Sequence, residues 1–245
     1  LQKELFQKRN YSSKANPQPT QNHTTNVYVY INVRSLTIDD KSQVLTLNAI
    51  TVMTWIDHRL TWDAKDFGNL YQTTVGWYYI WRPDLFVYNS AEPTNTHHYG
   101  YTPVIVYHSG HVLWMPPMTT KTECAMDLTY WPFDTQNCVI VMGSWTSNGF
   151  QIDFHPSHPN ASTEEIMMHN IKKSHHWTTN KLTLKRISTK YDCCEEPYIT
   201  LNVDVTMTRT SPSFASTIIL PAIAVALLAL VQFVLPVDYP PRVTV

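Results

Sequence analysis

Apolar residues occupy every second position over long stretches of this chain, the period expected of half-buried β-strands. Val27, Val29, Ile31 and Val33 alternate with Tyr28, Tyr30, Asn32 and Arg34, one set for a core and one for an outer face. A polar turn at Asp39-Asp40-Lys41-Ser42 ends this strand, and a second runs from Gln43 to about Leu60. The habit repeats up to Met207, with short β-rich runs broken by Pro, Gly, Asn and Ser. Examples are Val104–Tyr107 turning at Ser109-Gly110 into His111–Met115, then Cys138–Met142, then Tyr198–Thr208. Many short strands at such spacing predict a β-sandwich, and no internal repeat is evident. Before the first strand, Leu1, Leu5 and Phe6 recur at helical spacing and predict a short amphipathic helix over residues 1–11. The polar, proline-bearing stretch 12–26 predicts a loop.

One segment departs from this pattern. Residues 214–235 are 22 in a row without a charge. As a helix they would span about 33 Å, enough for a hydrocarbon core about 30 Å thick. A buried core helix rarely stays apolar for so long, and Pro221 is tolerated better in a membrane bundle than in a soluble helix. A membrane-spanning helix is the expectation.

Composition adds little electrostatic information. A formal charge of −1 and a pI near 6.9 give no reason to expect nucleic acid. Four cysteines allow three disulfide connectivities. Cys124 and Cys138 flank a short segment containing Trp131-Pro132-Phe133-Asp134, which suits a local bridge worth roughly 3 kcal/mol for a loop of about 15 residues. Cys193 and Cys194 are adjacent, and a bridge between neighbours is strained. Sequons at Asn10, Asn22 and Asn160 agree with an exported, glycosylated domain. No signal peptide is visible, so the chain reads as already processed.

Two of these motifs together resemble a known family. The thirteen residues between Cys124 and Cys138, with their aromatic-Pro-Phe-Asp core, are similar to the signature loop of the Cys-loop pentameric ligand-gated ion channels. The vicinal pair Cys193-Cys194, flanked by Tyr191 and Tyr198, resembles the ligand-capping loop of nicotinic acetylcholine receptor α-type subunits. The resemblance implies disulfides Cys124–Cys138 and Cys193–Cys194. It implies an N-terminal helix, an immunoglobulin-like sandwich of about ten strands in an extracellular domain over 1–210, and then, over 211–245, the first transmembrane helix with a linker to a pore helix. Its function would be that of a neurotransmitter-gated channel subunit, not an enzyme. It would sit in the plasma membrane at a synapse, against lipid, in a homo- or heteropentamer with related subunits.

The chemistry implied is recognition of a quaternary ammonium. Such a cation lacks hydrogen-bond donors, so ring faces must hold it, each worth about 0.5–2 kcal/mol. On the principal face the resemblance selects Tyr88, Trp145, Tyr191 and Tyr198, with Cys193 and Cys194 in the closing loop. Taken singly, Tyr88 or Trp145 is better explained as structural than as ligand-binding in a chain with 8 Trp and 14 Tyr. Trp55, Trp62, Trp77 and Trp81 are assigned to the core. The complementary face, from a neighbouring subunit, would carry Ile50, Ile105, Leu113 and Met115. Ile50 stands where relatives usually place a ligand-facing Trp, and losing that ring would cost about 1–2 kcal/mol, roughly tenfold in affinity. Val141 and Thr200 likewise replace a Lys and an Asp of many relatives.

Asp39, Asp40, Phe133, Asp134 and Arg209 match positions that transmit ligand-driven movement to the membrane. Pro240-Pro241-Arg242 resembles the Pro-Ala-Arg of anion-selective relatives, so ion selectivity stays open. Eleven histidines, densest at His97-His98, His155–His158 and His175-His176, read as loop residues in preference to a metal site. No cofactor is implied. Two alternatives remain: a soluble binding module on the same domain, which residues 214–235 oppose, and an orphan subunit assembling with ligand-binding partners, which Ile50 favours in part and the intact principal face opposes.

Overall fold

The computed structural model describes residues 1–18, 23–92, 98–157, 163–168, 171–172, 174, 176–210 and 214–234. Among the described residues, twelve strands form two sheets. The larger is ordered β3 (Gln72–Val75), β5 (Val104–Tyr107), β6 (Ser109–Trp114), β2 (Val44–Thr61), β1 (Thr25–Asp39), β9 (Ile152–Pro156), with β7 (Pro117–Glu123) also pairing β2. The smaller is ordered β10 (Thr163–Glu165), β11 (Trp177–Lys190), β12 (Pro197–Arg209), β8 (Thr135–Ser144), β4 (Leu85–Val87). All pairs are antiparallel except β1 with β9.

The alternation seen in sequence is what closes the sandwich. Val27, Val29, Ile31 and Val33 of β1 and Leu45, Leu47, Met53 and Trp55 of β2 turn inward, meeting Ile140, Met142, Leu182, Leu184, Leu201, Val203 and Val205. A bulge between Val33 and Ser35 shifts the inward set of β1 from odd to even positions. Leu36 and Ile38 therefore stay buried, where an unbroken period of two would have turned them outward. Cys124, just after β7, bridges to Cys138 in β8 with a Cα–Cα distance of 5.2 Å, so the disulfide staples one sheet to the other.

Three expectations change in detail. The N-terminal helix is a single turn, Lys3–Lys8, with i→i+5 bonding. Only Leu5 of it is buried, and the chain leaves it through Asn10 at φ 52°, so there is too little apolar face to extend it. Trp55, Trp62 and Trp81 are buried, whereas Trp77 is partly buried and packs against the edge of the core. It is stacked on Tyr101 with ring centroids 4.6 Å apart and with the Arg82 guanidinium 4.6 Å from its centroid. The apolar helix runs Leu220–Val234 after a π-type turn Ala215–Ile219. Ser216–Val234 is long and apolar enough to cross a membrane and is unburied by the rest of the chain. Leu235 and Pro240-Pro241-Arg242 lie outside the described residues.

Candidate ligand-binding site and coupling cluster

At one end of the five-stranded sheet, three segments carry exposed rings. Tyr88 follows β4 and is fixed by its N–H to the Val141 carbonyl at 2.8 Å, while Asn89 bonds both Val139 and Val141. The Tyr88 hydroxyl donates to the Ser144 carbonyl. Its ring passes over Gly143, where a Cβ would sit 2.5 Å from that hydroxyl, so the glycine is required by the close approach. Burial, helped by the negative charge of Asp84 and by Tyr191, pushes the Tyr88 phenol above its ordinary value.

Trp145 begins the loop after β8 and is 71% exposed, an unusual position for so large an apolar ring. Asp84 shapes that loop. Its carboxylate accepts from the Ser144 hydroxyl at 2.6 Å, the Trp145 and Thr146 N–H groups at 3.1 Å each, and the Thr146 hydroxyl at 2.9 Å. This residue was not singled out from the sequence, where one Asp after a proline looks like any turn former. The rings of Tyr88 and Trp145 lie 6.1 Å apart, and Phe86 lies 5.8 Å from Trp145.

The third segment is the β11–β12 turn. The ladder ends at the Lys190–Pro197 pair, leaving Tyr191–Glu196 as a projecting loop closed by the Cys194 N–H on the Tyr191 carbonyl. The rings of Tyr191 and Tyr198 are 5.6 Å apart at its base. The Gly149 N–H on the Pro197 carbonyl, 2.7 Å, ties this base to the Trp145 loop. Cys193 and Cys194 are free thiols here, so the expected vicinal bridge is not formed in this structure. Adjacent Cα atoms sit about 3.8 Å apart, below the usual range for bridged cysteines, so closure would require local rearrangement. A hydrogen bond with Cys193 is the largest influence raising the Cys194 thiol above its ordinary value.

The complementary positions lie on the other sheet. Ile50 is half-buried in β2 opposite Pro117, Ile105 pairs with Leu113 across β5–β6, and Met115 is exposed just beyond β6. Within one chain they do not meet the rings. Asn10 is exposed, while Asn22 and Asn160 lie outside the described residues, as do His97, His158 and His175. Among the described residues, no three metal-ligating side chains converge.

At the opposite end Arg209, Asp134 and Asp40, three of the five residues expected to transmit movement, form a largely buried ionic knot. Arg209, the last residue of β12, is fully buried and gives two bonds to the Asp134 carboxylate, at 2.7 and 3.1 Å. It also gives one to Asp40 of the β1–β2 turn. Gln136 donates to Asp134 at 2.6 Å, and the Arg209 guanidinium lies 4.3 Å from the Trp177 ring centroid. Burial opposes ionisation of Asp134, but the Arg209 and Gln136 bonds outweigh it and hold the carboxyl below its ordinary range. Gln136 and Trp177 carried no signal in sequence, since both needed the strand register to be placed. Asp39 caps its own turn through Ser42 at 2.6 Å and stays outside the knot. Phe133 is 67% exposed at the tip of the disulfide loop, where the Trp131–Pro132 peptide is cis.

A family described as the neurotransmitter-gated ion-channel ligand binding domain matches residues 1–211. Similar proteins include the acetylcholine receptor subunit alpha-type acr-16 of Caenorhabditis briggsae, 34% identical over 96% of this chain and 46% of that protein. The neuronal acetylcholine receptor subunit alpha-10 of Rattus norvegicus is 32% identical over 97% of this chain and 52% of its own length. The acetylcholine receptor subunit alpha-L1 of Schistocerca gregaria is 31% identical over 90% of this chain and 41% of its own. The chain thus spans about half the length of the curated relatives it matches. With the cross-sheet disulfide, the ring-bearing loops and the apolar helix in place, the chain belongs to the neurotransmitter-gated ion-channel ligand-binding domain family, in its nicotinic acetylcholine receptor-like branch.

Proposed function

We propose that this chain is part of a channel subunit gated by an acetylcholine-like quaternary ammonium bound between subunits. Residues 1–210 would form its extracellular binding domain, and 211–245 its first membrane-spanning segment. The principal half of the site is Tyr88, Trp145, Tyr191 and Tyr198, with the Cys193-Cys194 loop closing over it. The observation that carries the reading is four rings drawn from three segments onto one exposed rim, with Trp145 left uncovered. Leaving such a ring in water forgoes burial worth about 2 kcal/mol, and a cation held against it would recover part of that stabilisation.

A neighbouring subunit supplies Ile50, Ile105, Leu113 and Met115 as an apolar wall. Assembly is a pentamer of related subunits in the plasma membrane, and occupancy is passed through Arg209, Asp134, Asp40, Asp39 and Phe133 to the pore. Glycans at Asn10, Asn22 and Asn160 and a bridged form of Cys193–Cys194 belong to the same reading. Ile50 favours a second arrangement, in which a partner subunit supplies a tryptophan at the corresponding position.

The test is current from the complete protein expressed alone, challenged with acetylcholine, choline and betaine. Gated current establishes a homomeric channel, and its reversal potential fixes the ion carried. Surface expression without current, restored by co-expressed subunits bearing the tryptophan, selects the heteromer. No current and no cation binding in either case refutes the reading.

A further inference from the structure

A cavity of about 450 Å³ lies at the Arg209 end of the sandwich, well away from the ring-bearing rim. Its walls come from both sheets and from the segment that crosses between them. Leu36 of β1, Met168, Ile171 and Trp177 give it an apolar wall, Ser174, Thr178, Thr179 and Thr210 add hydroxyls, and Lys172 is the only charged side chain among the described lining residues. Two of the described residues on this crossing are anchored: the Lys172 N–H donates to the Arg34 carbonyl at 2.8 Å and the Ile166 N–H to the Leu182 carbonyl at 3.0 Å. The size suits a small-molecule site, as does an apolar wall faced by hydroxyls and a single cation.

Its position indicates the occupant. Thr210 bonds the His176 carbonyl, and four residues later the Phe214 ring packs 6.2 Å from His176 and 5.5 Å from Trp131. The cavity therefore lies beside the entry of a helix whose apolar surface the rest of the chain leaves bare. With that helix in a bilayer, the cavity sits at the membrane surface, where amphiphiles are concentrated and a lysine at a pocket mouth meets anionic head groups.

We propose that this cavity is a second binding site, taking the acyl chain of an anionic amphiphile against Leu36, Met168, Ile171 and Trp177 with its head group at Lys172. The inference rests on the membrane-spanning reading of the helix and is independent of the cation site. An occupant would touch Trp177, whose ring lies 4.3 Å from the Arg209 guanidinium, so it would bear directly on the ionic knot.

The test is photolabelling of the complete protein in phosphatidylcholine nanodiscs, with adducts mapped by mass spectrometry. One arm adds a free diazirine fatty acid, and the other builds the diazirine into the acyl chain of phosphatidylserine. Adducts at Met168, Ile171 or Trp177 are expected in at least one arm, and the arm identifies the source. Ile171→Trp, which fills the cavity from its half-buried rim, abolishes them. Lys172→Glu weakens labelling about fivefold, the effect of reversing one exposed charge pair. Adducts in neither arm overturn the site, and equal labelling by an uncharged diazirine alcohol overturns the anionic head group. Protease protection of the helix and cation-dependent quenching of Trp145, measured on the same sample, separate failure of this site from failure of the membrane or agonist readings.

Discussion

Removing the charge of Asp134 while keeping its shape isolates the ionic knot. In Asp134→Asn, Arg209 keeps Asp40 but loses its buried partner, and Asp40 is 42% exposed and therefore well screened. Breaking a buried pair from one side costs about 3–5 kcal/mol, and the residual Asp40 contact places this case at the low end, about 3 kcal/mol. A domain of this size loses roughly 2–4 °C per kcal/mol, so the melting temperature should fall by about 6–12 °C. Arg209→Met alone should cost a similar amount, because Asp134 would then be buried beside Gln136 only. The pair Asp134→Asn with Arg209→Met removes both charges and keeps an amide beside Gln136. It should lose much less than the sum of the two single losses, since neither charge is then left buried without its partner. Near-UV circular dichroism melts of the purified protein, run as a double-mutant cycle, measure all four corners. A single variant melting within about 2 °C of the parent, or additive losses in the double variant, would refute the reasoning.

Four further outcomes follow from the same geometry. Because Asp134 has its carboxyl held below the ordinary range when folded, its contribution is present above the unfolded carboxylate value near 3.9 and is lost as pH falls through the folded one. The coupling energy of that cycle should thus be constant from pH 5 to 7 and shrink in more acidic buffer, and a coupling that grows on acidification contradicts it. Asp84→Asn removes the charge behind four hydrogen bonds to the Trp145 loop and should weaken cation-dependent tryptophan quenching about tenfold, roughly 1.5 kcal/mol, with little change in unfolding temperature. Ile50→Trp should strengthen cation binding by a homomer about tenfold in the same titration, and an unchanged affinity would remove Ile50 from the interface wall. Gly143→Ala places a Cβ against the Tyr88 hydroxyl and should displace the ring, lowering cation affinity while Gly68→Ala, far from the rings, leaves it unaltered.

How much of this was readable in advance depended on whether the signal was local. The inward set of β1, the long β2, the strand after the capping loop and the bare apolar helix were legible because period and length alone decide them. The bulge at Val33–Ser35 was not, because the shift in parity shows only once the partner strand is known. The short strands β3, β4 and β10 have three or four residues each, too few for a period to register. Trp77 packs only at the core's edge, since residue type gives bulk and apolarity but not how far a ring in a turn is covered. For the rings, motif spacing against the cysteines identified Tyr191 and Tyr198, whereas Asp84 became visible only when its four donors came together.

Strand β12 has a mechanical consequence. It begins at Pro197, beneath the projecting loop, and ends at Arg209 in the knot, with hydrogen-bonded neighbours β11 and β8 on its two sides. It cannot slide lengthwise, because a slip of one residue would turn Leu201, Val203, Val205 and Met207 out of the core. It is therefore a strut about 40 Å long that can tilt but not shift. A tilt of two degrees about one end would carry the other through about 1.4 Å on that length, half the span of a hydrogen bond. A tilt imposed at the loop would therefore arrive at Arg209 as a sideways displacement of the residue bonded to Asp134 and Asp40.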